Sequence, residues 1–171
     1  MKFRWLMVFA LGAAVVKPAS SQVSVYANMS ASKLTNDTDS FVLYGPTIGV
    51  TARVVSKPRL SFYGDIRGEF YGSARRMDGV AIGPKVGFPL KKFEPYAELL
   101  VGFARYNDGL GTRNSGTTDA HVEANFGVDR QVTPRFDWRI FEFGYQQFYA
   151  LGGTYNPKTF STGVVYHVGK R

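Results

Sequence analysis

Apolar and polar residues alternate along most of this chain with a period of two. The stretch Leu60–Tyr71 is the clearest case, because its apolar residues share one parity and its charged residues share the other. The apolar positions are Leu60, Phe62, Ile66 and Phe70. A β-strand sends alternate side chains to opposite faces, so this stretch is predicted to be a strand with one apolar and one charged face. It exceeds the roughly 5–6 residues of a usual soluble strand and suits a tilted membrane crossing of about 9–11 residues.

Seven further segments show the same alternation and are predicted to be strands. They are Val23–Ala31, Leu43–Val55, Val80–Leu90, Phe93–Tyr106, Asp119–Gln131, Phe136–Tyr149 and Lys158–Val168. The connectors after the odd-numbered strands are long, and those after the second, fourth and sixth strands are short. Transmembrane barrels have an even number of strands, with short turns at one end and long loops at the other. The predicted fold class is therefore all-β, an eight-stranded antiparallel up-and-down transmembrane β-barrel.

Two predicted strands contain residues that do not fit regular pairing. Pro84 falls within the fourth strand and cannot donate a hydrogen bond to a ladder, so a local bulge is expected there. In the seventh strand, unbroken parity would point Glu142 toward lipid, which is costly for a charge. One extra residue near Ile140–Phe141 would turn Glu142, Gly144 and Gln146 inward, so a second bulge is predicted at that point.

The polar parity carries many ionisable residues. Ten of them are predicted to point inward: Arg53, Asp65, Arg67, Glu69, Lys85, Glu94, Glu98, Glu123, Asp129 and Arg139. A single apolar core could not accept these groups without extensive pairing. An eight-stranded barrel is wide enough for side chains to fill its interior, so a structural salt-bridge network in the lumen is predicted. A soluble exported barrel of the lipocalin type, apolar inside and charged outside, would produce the same alternation.

Strand length, aromatic residues near the strand ends and the absence of cysteine favour the membrane barrel over the soluble one. The aromatic residues are Phe62, Phe88, Phe93, Phe136, Trp138 and Tyr166 toward the short turns, and Phe70, Phe148 and Tyr149 toward the long connectors. Aromatic belts of this kind suit the two membrane interfaces. The mean hydropathy of −0.14 is compatible with a barrel, because alternation averages the apolar face away.

The first 21 residues are predicted to be a signal peptide. A basic segment precedes the apolar run Leu6–Val16, and Ala19 and Ser21 supply small residues before a cleavage expected at Gln22. The run is too short for a membrane helix, which needs about 20 residues. The chain is therefore expected to be exported, with residues 22–171 forming the barrel domain.

The net charge of +8, from 21 basic and 13 acidic residues, raises the question of nucleic-acid binding. The bases are scattered through turns, connectors and one strand face, without a Lys/Arg block or a basic helix. An exported chain also has little occasion to meet a genome. Nucleic acid is therefore excluded as a partner.

Three segments of the chain resemble the small OmpA-like outer-membrane β-barrel family. They are FEPYAELLVGFARY, NFGVDRQVTPRFDWRIFEFGYQQF and the closing FSTGVVYHVG. The resemblance implies a monomer in the outer membrane of a Gram-negative cell envelope, inserted by the barrel assembly machinery and surrounded by lipid and lipopolysaccharide. It implies a structural role, with adhesion or surface interaction through extracellular loops and at most a narrow, gated, porin-like pore. Family barrels usually end on an outward aromatic residue, whereas Val168 occupies that place here.

Some small outer-membrane barrels modify lipid A, so the two histidines are the candidate catalytic residues. His121 and Glu123 are predicted to share the inward face near the long connectors, and His167 is predicted near the short turns. A deacylase needs a serine beside a histidine, held by an acidic residue, but no His-x-Ser segment occurs, and Glu123 lies two residues after His121 on the same predicted strand. No catalytic residue, metal site or cofactor is predicted. A lipid A-modifying enzyme and a soluble lipocalin-like ligand-binding barrel remain the alternative functions.

Overall fold

The computed structural model describes residues 22–35, 40–72, 75–107, 117–149 and 156–168. It contains eight strands: β1 (Val23–Thr35), β2 (Ser40–Lys57), β3 (Leu60–Gly72), β4 (Arg76–Gly87), β5 (Phe93–Asn107), β6 (Thr117–Gln131), β7 (Phe136–Phe148) and β8 (Lys158–Val168). Each strand pairs antiparallel with the next, and β1 pairs with β8, so the sheet closes into a barrel. The predicted fold class is confirmed. The predicted signal peptide lies outside the described residues.

We call the end with the connectors β1–β2, β3–β4, β5–β6 and β7–β8 the loop end, and the opposite end the turn end. At the loop end, β1 to β6 extend further than their alternation of apolar residues predicts, whereas β7 and β8 do not. The β1–β2 ladder continues to the pair Thr35–Ser40, and β4 begins at Arg76 rather than Val80. Backbone hydrogen bonds do not depend on side-chain polarity, so polar residues continue the ladder beyond the apolar band. Among the described residues, no helix is long and apolar enough to cross a membrane.

The outer face of the barrel is apolar and the inner face is charged. Met29, Ile82, Val101 and Phe103 are all more than half exposed on the outside. Buried carboxylates and guanidinium groups face the inside. This orientation is the reverse of a soluble lipocalin-type barrel, whose apolar face points inward.

Within the described strands, the ladders contain two bulges, one of which was predicted. Ile140 is the extra residue in β7, since Phe141 pairs with Val128 while Arg139 pairs with Asp129. The β7–β8 register shifts at the same place. A second bulge, which alternation did not predict, lies in β2 between Arg53 and Val55.

The bulge predicted at Pro84 is wrong. Pro84 pairs with Gly64 inside an unbroken β3–β4 register. On its other side, the β4–β5 ladder omits Gly83 and Pro84 and resumes in the same register at Lys85–Glu98. The missing N–H is therefore accommodated by a gap in one ladder, without an inserted residue.

An apolar cluster fills the barrel interior at the loop end, and we call it the apolar cap. It consists of Leu34, Leu43, Tyr71, Met77 and Ala104, with Phe41, Tyr106 and Phe148 packed against it. Phe148 was predicted to belong to an outer aromatic belt, but the β7 bulge turns it inward. At the turn end, a polar cavity of about 440 Å³ lies beside Arg53, Lys91 and Glu94.

Candidate functional site in the barrel interior

Nine of the ten ionisable residues predicted to face the lumen are buried inside the barrel. The exception is Arg53, which is half-buried at the turn end. Its guanidinium lies 5.5 Å from the ring centroid of Tyr63 and donates a hydrogen bond to the Tyr63 hydroxyl at 3.4 Å. Arg53 thus lies at the mouth of the barrel, outside the group of ion pairs at its centre.

Arg67 of β3 is the centre of the interior ion pairs. Its Nη1 lies 3.3 Å from Glu123 Oε1 and 3.2 Å from Glu142 Oε1. Its Nη2 contacts Glu98, and its Nε lies 3.7 Å from Asp65. One guanidinium therefore joins four carboxylates from four different strands, which its fork of five donors allows.

Glu142 connects this centre to a second arginine. Arg139 Nη1 lies 3.0 Å from Glu142 Oε2, and Arg139 Nε donates to Asp129 at 2.9 Å. The Tyr96 hydroxyl donates to Glu142 Oε2 at 2.7 Å. Glu142 was absent from the ten predicted lumen charges, although the β7 bulge that turns it inward was predicted.

Lys85 and the tyrosine rings complete the charged layer. Lys85 Nζ lies 3.6 Å from Asp129, 3.8 Å from Glu98 and 3.5 Å from the Tyr96 ring centroid. The Tyr26 hydroxyl donates to Asp65 at 2.8 Å. Charges withdrawn from water are thus paired or hydrogen-bonded at several points, as burial demands.

Glu69 and Glu94 lie on opposite sides of this layer. Glu69, toward the apolar cap, accepts a hydrogen bond from Gln146 Nε2 at 2.7 Å. Glu94, toward the turn end, accepts a hydrogen bond from the Tyr63 hydroxyl at 2.5 Å.

The two histidines lie in separate environments, as their sequence positions indicated. The His121 ring is buried against Phe148, with 5.2 Å between ring centroids. His121, Glu69 and Glu123 can bring ligand atoms within 4.8 Å of one another. Sequence reasoning missed Glu69 as a neighbour of His121, because β3 and β6 meet only across the lumen.

At the turn end, His167 belongs to a Ser–His–Asp chain of contacts. Its Nδ1 lies 2.7 Å from the Ser24 hydroxyl, and its Nε2 lies 2.8 Å from Asp137 Oδ2. Ser24 and His167 are direct cross-strand partners in the β1–β8 ladder that closes the barrel. The sequence did not reveal this group. Alternation can place the three side chains on one face, but it does not give the register between β1 and β8, the pair that closes the barrel.

No family model matches the chain, and no curated protein matches its sequence. Similar solved structures include neisserial surface protein A (NspA), with 21% identity, 84% of this chain and 96% of that chain covered, and a TM-score of 0.61. Ail, the attachment invasion locus protein of Yersinia pestis, has 13% identity, coverage of 86% and 97%, and a TM-score of 0.56. The outer membrane enzyme PagL has 11% identity, coverage of 81% and 98%, and a TM-score of 0.51.

These likenesses extend over nearly the whole of each known barrel and agree with the eight-stranded closed topology described above. They confirm the predicted resemblance at the level of the fold. The chain has the fold of the small eight-stranded transmembrane β-barrels of the bacterial outer membrane.

Proposed function

We propose that this protein is a structural outer-membrane barrel that contacts surface partners through its loop-end connectors. The observation that carries the proposal is a closed barrel with an apolar outer face and a filled interior. The outer face suits lipid, and closure leaves no unpaired strand edge in the bilayer. The two ends are then the parts of the surface left for other partners.

The loop-end rim carries basic residues that suit an anionic surface. Lys33 and Lys158 are exposed and lie directly opposite each other in the β1–β8 ladder. Like charges in that position repel each other, so a nearby anion would stabilise the pair. Arg76 and Arg105 are exposed on the same rim, where Asp78 offsets part of their charge: it pairs with Arg76 at 2.6 Å and lies opposite Arg105 in the β4–β5 ladder. We propose lipopolysaccharide phosphates as the lipid partner here, and anionic surface glycans as the class of adhesion partner.

One solved structure supports anionic glycans as the class of adhesion partner, by analogy. The Ail structure holds the heparin analogue sucrose octasulfate, a sulfated polyanion. The proposal for this chain rests on its own basic rim, since identity to Ail is only 13%.

A narrow pore is the most that the interior would allow. The apolar cap occupies the loop end, and the ion pairs around Arg67 and Glu142 occupy the centre. We propose that the barrel works as a monomer, inserted by the barrel assembly machinery. In planar bilayers, we expect the folded barrel to give at most small, intermittent conductance.

Cell fractionation and loop exchange test the leading proposal. We expect the protein in the outer-membrane fraction, with gel migration that changes on heating. Replacing residues 108–116 with a two-residue turn should reduce binding of cells to sulfated glycans, whereas exchanging the short turn 132–135 should not. A protein that purifies from the periplasm without detergent would contradict the barrel role. Unchanged glycan binding after exchange of every loop-end connector and substitution of the rim residues Lys33, Arg76, Arg105 and Lys158 by glutamine would contradict adhesion.

A second candidate function is hydrolysis by the Ser24–His167–Asp137 group. Hydrogen-bond distances of 2.7 and 2.8 Å match the contacts by which a histidine activates a serine. The ring nitrogens, however, are used in the opposite order to the chymotrypsin triad, where Nε2 faces the serine. The group also lies inside the turn end rather than on the lipid face, which favours the structural role over lipid A modification.

A serine-reactive fluorophosphonate probe separates the two candidates. Hydrolysis predicts labelling of the folded barrel that Ser24→Ala abolishes and Ser30→Ala leaves intact, since Ser30 contacts Thr47 rather than a histidine. The structural role predicts no labelling in any variant. It also predicts that lipid A mass spectra of a deletion strain match those of the wild type.

A further inference from the structure

We propose that Glu69, His121 and Glu123 form a divalent metal site beneath the apolar cap. Glu69 projects from β3 and the other two residues from β6, on the far side of the lumen. Their ligand atoms all lie within 4.8 Å of one another, and all three side chains are at most 1% exposed. The proposed site adjoins the ion pairs centred on Arg67, with which it shares Glu123, and it shares no residue with the Ser24–His167–Asp137 group.

The ligand atoms at this site lack hydrogen-bond partners. Both ring nitrogens of His121 are buried without a partner, as are Glu69 Oε1 and Glu123 Oε2. The second oxygen of each carboxylate is used, since Gln146 contacts Glu69 Oε2 and Arg67 contacts Glu123 Oε1. Leaving a buried acceptor unsatisfied costs about 1–3 kcal/mol, and more for a charged group. Several unpartnered atoms within 4.8 Å of one another make a site that suits a cation.

Charge in the interior points the same way. The buried side chains of the described residues include eight carboxylates but only three lysines and arginines. Isolated carboxylates are strongly disfavoured away from water, so such a surplus is relieved either by protonation of some carboxyl groups or by a bound cation. A divalent ion between Glu69 and Glu123 would supply positive charge beyond the last carboxylate that Arg67 contacts.

The ligand set identifies the class of ion. One imidazole nitrogen and two carboxylate oxygens suit Zn²⁺ and related transition-metal ions, whereas Ca²⁺ and Mg²⁺ prefer oxygen ligands in larger number. Ligands at about 2.0–2.2 Å from a tetrahedral Zn²⁺ lie roughly 3.3–3.6 Å apart. The three side chains therefore need to close by about 1 Å. Gln146 Oε1 is itself buried without a partner, and Nε2 of the same amide donates to Glu69 at 2.7 Å, so Gln146 is the neighbour that we propose as a fourth ligand.

The consequence would be a non-covalent crosslink across the barrel. β3 and β6 are separated by β4 and β5 in the sheet, so a shared ion would tie two walls that no ladder hydrogen bond joins. The Phe148 ring, packed on His121, would shield the ion from the loop end. Binding to the folded state alone raises stability with metal concentration.

The test uses tag-free mature protein, refolded in detergent and stripped of metal, and titrated with Zn²⁺ by calorimetry. We expect one equivalent to bind with a dissociation constant of about 1 μM or tighter. His121→Gln and Glu123→Gln should weaken binding at least about tenfold, because even residues behind the ligands typically cost that much. His167→Gln removes the other histidine and should bind Zn²⁺ like the wild type. Heat-dependent gel migration verifies that each variant is folded.

A second measurement does not depend on the folding of any variant that lacks a proposed metal-binding residue. Zn²⁺ should shift the ring NMR signals of one of the two histidines in the wild-type barrel, and the signals that persist in His167→Gln identify that residue as His121. Absence of saturable Zn²⁺ binding by the folded wild type would overturn the proposal. Zn²⁺ shifts at His167 alone, or wild-type affinity in folded His121→Gln, would overturn it as well.

Discussion

Arg67 and Glu142 lie on β3 and β7, which face each other across the barrel, and their side chains meet at 3.2 Å in its centre. The same carboxylate contacts Arg139 at 3.0 Å through its other oxygen. Opposite walls of the barrel are thus joined through a charge pair that water does not reach. Several properties of the protein depend on this contact and on the backbone irregularity that allows it.

Replacing Arg67 should destabilise the barrel strongly. Arg67→Ala leaves Asp65, Glu98, Glu123 and Glu142 facing one another without their shared cation, and breaking a buried ion pair costs about 3–5 kcal/mol. We expect a loss of that size in urea unfolding of barrels inserted in lipid vesicles. Arg76→Ala is the control, because its pair with Asp78 lies at the exposed loop-end rim and should contribute less than about 1 kcal/mol. Equal stabilities of the two variants would contradict the assignment.

Deleting Ile140 should prevent correct folding. Without the extra residue, either Glu142 and Gln146 turn toward lipid, or the register of β7 against both neighbours must change. We expect loss of the heat-dependent change in gel migration. Deletion of Val54, at the other bulge, leaves only residues 55–57 of β2 beyond it and should be tolerated better. A folded barrel after Ile140 deletion would show that the bulge is dispensable.

The loss of stability caused by a charge on the outer face should depend on the depth of that charge in the bilayer. Val101 is half exposed near the middle of β5, so Val101→Arg places a charge in the apolar band. The expected cost in a bilayer is about 2–4 kcal/mol, against about 0–1 near an interface. Leu90→Arg, on the outside at the turn end, is the matched control. Vesicle unfolding curves that shift equally for both variants would argue against a membrane face.

Two glycines in adjacent strands should respond differently to alanine. A Cβ at Gly49 would lie 2.4 Å from the Tyr26 ring and 2.7 Å from the Ile66 carbonyl oxygen, whereas a Cβ at Gly64 would meet nothing within 4 Å. Gly49→Ala should destabilise the barrel by about 1–3 kcal/mol through overpacking. Gly64→Ala should be neutral or stabilising by up to about 1 kcal/mol, because it reduces the freedom of the unfolded chain. Urea unfolding measures both, and a neutral Gly49→Ala would contradict the close approach of Tyr26.

The sequence by itself determined the strand count, the antiparallel order and which side chains share a face. Each of these follows from a period of two and from connector length, which are local properties. Even the β7 bulge was readable, because Glu142 would otherwise point to the apolar face. The strand limits at the loop end and the pairing at Pro84 could not be read from the sequence, because both depend on the partner strand.

The tertiary structure alone decided which inward residues meet. Closure of the barrel brought Ser24 beside His167 through the β1–β8 ladder, and it set Glu69 opposite His121 across the lumen. Parity assigns a side chain to a face of the sheet. Its position along the barrel axis and its neighbours across the lumen depend on the registers of all eight strands together. The two candidate sites are therefore properties of the closed barrel, as is the outward orientation of the apolar face, whereas the residues that make up that face could be read from the sequence.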